Sequence, residues 1–325
     1  MRYSGIGGQA VMEGVMMKNQ DKYAVAVRKP DQEIVVEVAE YNGLNINKKM
    51  KNMPILRGVF NFIESLMLGM KTLMFSASFF EDEEEELKKH KESATVKQAE
   101  LSEEAARTEQ ERKKKEEDAM MGGTVVLSVV LAVGIFMILP YFISLFFQRF
   151  ITSQIAIALL EGVIRLLIFV GYVAAISLMP DIKRVYMYHG AEHKCINCIE
   201  HGLDLTVENV RKSSKEHKRC GTSFLLIVML ISIVFFMFIR VDNGILKLVL
   251  RLLLIPVIAG VSYEFIRLAG RSDNRIVNIL SKPGLWLQRL TTKEPDDTMI
   301  EVGIASVEAV FDWHSYVEEI REGKA

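Results

Sequence analysis

The segment His189-Gly190-Ala191-Glu192-His193 sets two imidazoles and a carboxylate within about one helical turn. On a helix, positions i and i+4 share a face and i+3 lies beside them, so His189 and His193 can grip one ion with Glu192 next to it. This is the H-x-x-E-H order, the inverse of the zinc-protease helix. There the His pair binds zinc and the Glu polarises or deprotonates the metal's water. The expectation is a divalent metal, zinc first, held by His189 and His193, with Glu192 as general base. Five residues alone are weakly specific, and Gly190 lowers helix propensity in the middle. Ligand density adds weight: four of the six histidines and all three cysteines lie between positions 189 and 220.

Those neighbours also support other chemistry. Cys195-x-x-Cys198 with His217-x-x-Cys220 could close a four-ligand structural zinc site. A CxxC redox role lacks the βαβ context that would favour it. Buried structural cysteines are the plain alternative. A catalytic metal on the His pair needs a third ligand, for which Glu264 is the leading candidate, with Glu208, Glu216, His217 and Cys220 competing. Gln9 and Glu13 lie in a glycine-rich segment, Gly5-Ile6-Gly7-Gly8 through Gly14, read as a structural turn or as a cover over the cluster. Glu161 and Arg165, i and i+4 in an apolar run, read as a buried ion pair or, together with Arg251, as a transport site.

These residues must be positioned by a membrane protein. Half of the 325 residues are hydrophobic, and the net charge of −1 conceals strong segregation. Neither sign dominates, so nucleic acid is not an expected partner. Four apolar runs approach the roughly 20 residues that cross a bilayer: Gly123–Phe147, Gln154–Pro180, Thr222–Ile239 and Ile245–Ile266. Lys and Arg concentrate before the first run, in 181–221 and after the fourth, so both termini and that loop are expected in the cytoplasm. Three closely spaced cysteines fit a reducing compartment.

The fold class expected is mainly α, a polytopic membrane protein of about four spans with a small N-terminal α+β cytoplasmic module. Residues 1–52 hold the Gly-rich segment and a β-hairpin, with Tyr23–Lys29 and Glu33–Glu40 joined by Pro30-Asp31-Gln32. Residues 53–80 carry Arg57, Glu64 and Lys71 at seven-residue spacing and read as an interfacial amphipathic helix, or as a re-entrant one. Residues 81–122 are a charged linker. Residues 123–180 and 222–266 supply the spans, 181–221 the His/Cys loop, and 267–325 a cytoplasmic segment. There Pro283-Gly284-Leu285-Trp286 turns into a short helix, and Pro295-Asp296-Asp297 opens an amphipathic one.

Five of these stretches carry a resemblance: Gly-Gly-Gln-Ala-Val-Met-Glu-Gly-Val-Met-Met at 7–17, His-Gly-Ala-Glu-His-Lys at 189–194, Arg-Cys-Gly-Thr-Ser-Phe at 219–224, Ser-Tyr-Glu-Phe-Ile-Arg-Leu-Ala-Gly-Arg at 262–271 and Pro-Gly-Leu-Trp-Leu-Gln-Arg-Leu-Thr-Thr at 283–292. In combination they resemble the YqhQ-like family of bacterial membrane proteins, which carry a domain of unknown function. The resemblance implies the cytoplasmic membrane and the label of a metal-dependent enzyme, without a reaction or substrate. The leading functional expectation is a metal-dependent membrane enzyme, a hydrolase by motif. The alternatives are a scaffold with a structural zinc and a transporter. The bilayer is the expected partner, and a second copy of the chain remains open.

Overall fold

A computed structural model of the chain describes residues 3–46, 48–92, 112, 122–239, 241, 243–271 and 274–323. The N-terminal segment is a four-stranded antiparallel meander: β1 (Gly7–Val11), β2 (Gly14–Asn19), β3 (Lys22–Arg28) and β4 (Ile34–Glu40), in the order β1-β2-β3-β4. The expected hairpin is its second half. The Gly-rich segment, expected as a turn, is instead an edge strand hairpinned onto β2 through Met12 and Glu13. Gly14 must be glycine, since a Cβ there would collide with the Ala26 carbonyl oxygen.

Alternate side chains of a strand face opposite ways, and here both faces are covered. Val15, Met17 and Ala26 join a core with Ala191, Cys195, Ile199 and Val302. Met16, Tyr23, Val25 and Val27 join Leu68 on the other side. Each fully buried large apolar side chain contributes roughly 1.5–3 kcal/mol to this packing.

The layer beneath the sheet is a long helix. A short α1 (Lys48–Asn52) precedes α2 (Leu56–Glu92). Of the three spaced charges, Arg57 and Glu64 face protein and Lys71 is exposed. Arg57 forms a forked ion pair with Glu264, Glu64 is buried and accepts from the Leu44 N–H, and Lys71 lies 5.5 Å from the Tyr23 ring centroid. Ile63, Leu66, Met67, Met70, Leu73 and Met74 form the exposed stripe instead. Polarity is thus inverted relative to a helix on a soluble core. Most of the expected charged linker, residues 93–111 and 113–121, lies outside the described residues.

Three helices are long and apolar enough to cross a membrane: α3 (Gly122–Phe147), α4 (Gln154–Ile176) and α8 (Gly244–Arg271). The expected third span appears as α7 (Gly221–Met237), 17 apolar residues, about 25 Å at the helical rise. A π-helical turn at Gly134–Ile138 interrupts α3. The chain divides into two compact units, residues 1–81 with 170–325, and residues 82–169. In the second unit the buried Glu161–Arg165 pair forms at 2.9 Å, and Arg165 also donates to the Phe136 carbonyl on α3. In the first unit, Arg251 lies 5.1 Å from the Phe236 ring.

The expected His/Cys loop is largely a helix, α5 (Pro180–Glu200). It does not continue α4: the chain turns at Ser177–Met179, and Pro180 restarts it at the first helical position, where its missing N–H costs nothing. Only 201–220 is irregular, apart from α6 (Val207–Lys212), capped by Thr206. The last helices are α9 (Arg275–Thr291), α10 (Asp297–Glu308) and α11 (Trp313–Arg321). Pro283 lies inside α9 rather than at a turn before it. Asp296 and Asp312 cap α10 and α11 by accepting from the Met299 and Ser315 N–H groups.

Gly190, anomalous within a helix, has a packing reason. A Cβ there would collide with the Lys293 carbonyl oxygen, whose residue donates its own N–H to the Tyr186 carbonyl. Gly190→Ala is therefore expected to destabilise by about 1–3 kcal/mol through overpacking, although alanine is the better helix former by about 1 kcal/mol. Thermal unfolding in detergent would decide it; an unchanged or raised midpoint would contradict this packing account.

Candidate metal centre

Helix α5 is buried on every side from Gly190 to Glu200. One stripe is apolar: Ala191, Cys195, Cys198 and Ile199 pack on the sheet and α10. The opposite stripe is polar and equally buried: Glu192, His193, Asn197 and Glu200, with His189 at its start. A buried polar stripe costs several kcal/mol unless its groups find partners. They find them in the 211–217 segment. Lys194 donates to the Arg211 and Ser213 carbonyls and pairs with Glu294, and the Asn197 amide donates to the Ser214 and Glu216 carbonyls. The helix therefore ties down the chain leading to Cys220.

Cys220 is the N-cap residue of α7, and its thiol comes back onto the His pair. The His189 Nε2 lies 3.1 Å from the Cys220 Sγ. One donor atom from each of His189, His193 and Cys220 falls within 4.8 Å of the other two. Among the described residues this is the group whose geometry could hold a metal ion. Both imidazoles are oriented from behind. The His189 Nδ1–H donates to the Thr291 carbonyl at 2.8 Å, and the His193 Nδ1–H to the Lys215 carbonyl at 2.6 Å. A carbonyl can only accept, so each ring carries its proton on Nδ1 and offers Nε2 forward, the arrangement typical of metal-binding histidines. The Glu192 Oε2 stands 3.7 Å from the His193 Nε2 and 3.9 Å from the His189 Nε2.

Electrostatics follow the geometry. Burial pushes the Cys220 thiol up, but the His189 and His193 imidazoles outweigh it and hold the thiol well below its ordinary range. Burial lowers the His189 imidazole, yet the Cys220 thiolate and the Glu192 carboxylate raise it to about 9. His193 is raised for the same reasons. The position of Cys220 at the start of α7 adds the partial positive charge of a helix N-terminus. Each group thus favours the charged form of its neighbour, thiolate at Cys220 and protonated imidazole at the histidines.

The other sequence candidates go elsewhere. The Cys195 Sγ faces Gly303, where a Cβ would come within 2.9 Å of it. The Cys198 thiol donates to the Asp204 carbonyl at 3.4 Å. Neither joins Cys220, so the Cys195, Cys198, His217, Cys220 tetrahedron does not form. Glu264, expected as third ligand, is held by Arg57 and Arg267. The His217 ring lies tilted at 5.5 Å from His193 but turns its Nε2 toward Glu200 at 3.7 Å. Glu13 pairs with Arg184 and accepts from the Tyr188 hydroxyl. Gln9 donates to Thr72.

The Gly-rich segment approaches the cluster through its backbone at Gly8, while Gln9 and Glu13 make the contacts just described. A Cβ on Gly8 would come within 2.9 Å of the Glu192 Cγ. A cavity of about 700 Å³ opens there, its lining including residues 5–10, Ser65, Leu68, His189, Glu192, His193, Arg219 and Cys220. Two parts of the site escape sequence reasoning, since the Thr291 and Lys215 carbonyls carry no side-chain signal. Glu200, on the same α5 stripe, accepts from Arg219 and from Ser4. Burial pushes its carboxyl up, but His217, Arg219 and Ser4 outweigh that and bring it to about 2. A carboxylate depressed in the fold stabilises above its ordinary value, and that contribution is lost as pH falls toward 2. Glu200→Gln is expected to flatten the acid limb of a stability profile between about pH 4.5 and 2; an unchanged limb would remove Glu200 from that account.

The chain belongs to the family described as protein of unknown function (DUF1385), whose model matches residues 53–313. It is similar to the "Uncharacterized protein YqhQ" of Bacillus subtilis (strain 168), 35% identical over 302 residues, covering 92% of this chain and 90% of that protein. No solved structure matches.

Proposed function

We propose that this DUF1385 member is a zinc-dependent hydrolase of the cytoplasmic membrane, with His189, His193 and Cys220 as ligands and Glu192 as general base. The observation that carries the reading is the convergence of two Nε2 atoms and one Sγ, with both Nδ1–H groups already engaged by carbonyls. Structural zinc sites are closed by four protein ligands, whereas catalytic ones use three and keep a position open. Imidazole with thiolate suits zinc better than magnesium or calcium, which prefer oxygen. Bound zinc would supply Lewis acidity and a water that ionises near neutral pH. The chain's own residues do the rest. Glu192 takes the water's proton and returns it to the leaving group, while Gly8 and the β1 backbone restrict access from bulk water.

Chain connectivity supports a cytoplasmic location. The sheet, α5 and α10 form one core, so the N-terminus, 180–220 and 275–323 lie on one side of the membrane. The chain leaves that core at Cys220 and rejoins it at α9, so α7 and α8 cross as a pair, and α7 counts as a span despite its length. Lys and Arg flanks put the shared side in the cytoplasm. The exposed stripe of α2 and that of α9, Ile276, Ile279, Leu280 and Trp286, then rest on the bilayer interface.

A second reading rests on the 3.1 Å contact between Cys220 and His189: a thiolate nucleophile with an imidazole base. Two imidazoles locked on one sulfur favour the metal. The test is elemental analysis of the full chain purified in detergent without added metal, followed by hydrolysis of an ester and amide panel. One zinc per chain and chelator-sensitive turnover are expected. A metal-free protein that hydrolyses the panel, or one that takes up no zinc when supplied, overturns the proposal.

A further inference from the structure

The glycine-rich strand has a feature that neither folding nor cover over the centre explains. Residues 5–10 all line the cavity. Side chains alternate along a strand, so one face can contribute only every second residue. Four of them, residues 7–10, are consecutive in β1, so the strand presents its backbone edge. Among the described residues β2 is the only strand neighbour of β1.

The register shows which groups that edge offers. The two-residue turn makes Val11 and Gly14 the closing hydrogen-bonded pair. The Arg28 N–H to Glu13 carbonyl bond agrees, because it assigns the odd positions of β2 to β3 and the even ones to β1. Val11, Gln9 and Gly7 therefore bond inward to β2. The N–H and C=O groups of Gly8 and Ala10 point outward, beside Glu192. Gly7 adds a second observation. Its φ is not positive, and a Cβ there would meet nothing within 4 Å. Neither conformation nor packing requires glycine at 7; its effect is to leave the cavity side of the strand bare for close approach of a ligand.

An open edge of alternating donors and acceptors, bare of side chains and ending at a hydrolytic centre, matches one class of ligand. We propose that β1 receives an extended polypeptide as an added antiparallel or parallel strand, which holds its scissile amide against Glu192 and the His189/His193/Cys220 centre. This rests on the hydrolase reading and gives it a substrate class, a polypeptide segment near the membrane surface. A lipid headgroup cannot satisfy donors and acceptors at strand spacing. In the reaction the amide C–N bond breaks. Water delivers its oxygen to the carbonyl carbon, and its proton passes through Glu192 to the departing nitrogen.

The experiment uses the full chain with Glu192→Gln, in nanodiscs, with and without zinc. The probe is a mixed library of acetylated decapeptides, with phosphatidylglycerol vesicles as the comparison, and amide hydrogen exchange is followed across residues 5–11. With peptides, the Gly8 and Ala10 amides are expected to slow at least tenfold, while vesicles leave them unchanged. Two variants test the edge itself. Ala10→Pro removes an outward N–H, which an edge strand tolerates. Gly7→Val fills the bare side while suiting a strand. Both are expected to keep the wild-type melting point and zinc content, and to lose peptide protection and wild-type peptide cleavage tenfold or more. Absent protection by peptides, or protection that survives both variants, overturns the proposal. Zinc binding with hydrolysis of lipid esters alone also overturns it, yet leaves the hydrolase reading standing. Failure to bind zinc sinks that reading, while edge protection can still be scored in the metal-free protein.

Discussion

Cys220→Ser is expected to lower zinc affinity roughly a hundred- to a thousandfold, turning a chain that holds one ion through purification into one that loses it on dialysis. The magnitude follows from apparent zinc binding of about 10–16 kcal/mol over four ligands, or about 2.5–4 kcal/mol for each. Cys220 is the ligand that tertiary structure brings from outside α5, and its thiolate is the negative charge facing both imidazoles. His189→Ala and His193→Ala are expected to match it. Cys195→Ser and Cys198→Ser are expected to leave affinity unchanged, because their sulfurs face Gly303 and the Asp204 carbonyl. Cys220→Asp separates ligand from nucleophile: an oxygen ligand restores part of the zinc and part of the turnover. If Cys220→Asp carries full zinc and no turnover, the thiolate is a nucleophile and the ligand assignment fails. Competition titration against a chromogenic chelator measures each case.

Glu192→Gln is expected to keep one zinc per chain while lowering turnover by about 10²–10⁴, the usual contribution of a positioned general base. The amide preserves shape, and Gly8 packs against the Glu192 Cγ, so the side chain stays in place. Its carboxylate lies 3.7 and 3.9 Å from the two imidazole Nε2 atoms, beside the point where they converge. Glu264→Gln is the control, since Glu264 is engaged by Arg57. A zinc scaffold would respond oppositely: Glu192→Gln would leave every cellular readout intact, and the hydrolase reading would have to be abandoned.

Both expectations depend on how a short motif becomes a site. The H-x-x-E-H spacing was readable because helical periodicity alone sets i and i+4 on one face. Its third ligand was not, because three cysteines with similar local spacing compete for that role. What separates them is direction. Cys195 and Cys198 sit on the apolar stripe of α5, two and five residues past His193, and that stripe faces the sheet. Cys220 lies past a loop pinned by Lys194 and Asn197, whose partners are backbone carbonyls without sequence signature. Glu264 misled for a related reason. Depth along α8 put it near the right level, but the Arg57 guanidinium, about 200 positions away, captures it.

The membrane character, a small N-terminal β module and a helix that sets two histidines on one face were each determined by the sequence itself. Apolar run length, strand alternation and helical spacing are local properties, and each is set by the bilayer thickness or by backbone geometry alone. Only tertiary structure decided that α7 falls short of its neighbours, that Arg57 and Glu64 of α2 turn inward, and that the Gly-rich segment is an edge strand bordering the cavity. Those outcomes depend on which partner satisfies each polar group, a competition between residues far apart in the chain. The opening feature illustrates both parts. Two histidines and a glutamate share one helical face, and one of three cysteines joins them because the fold points one sulfur at them and turns the other two away.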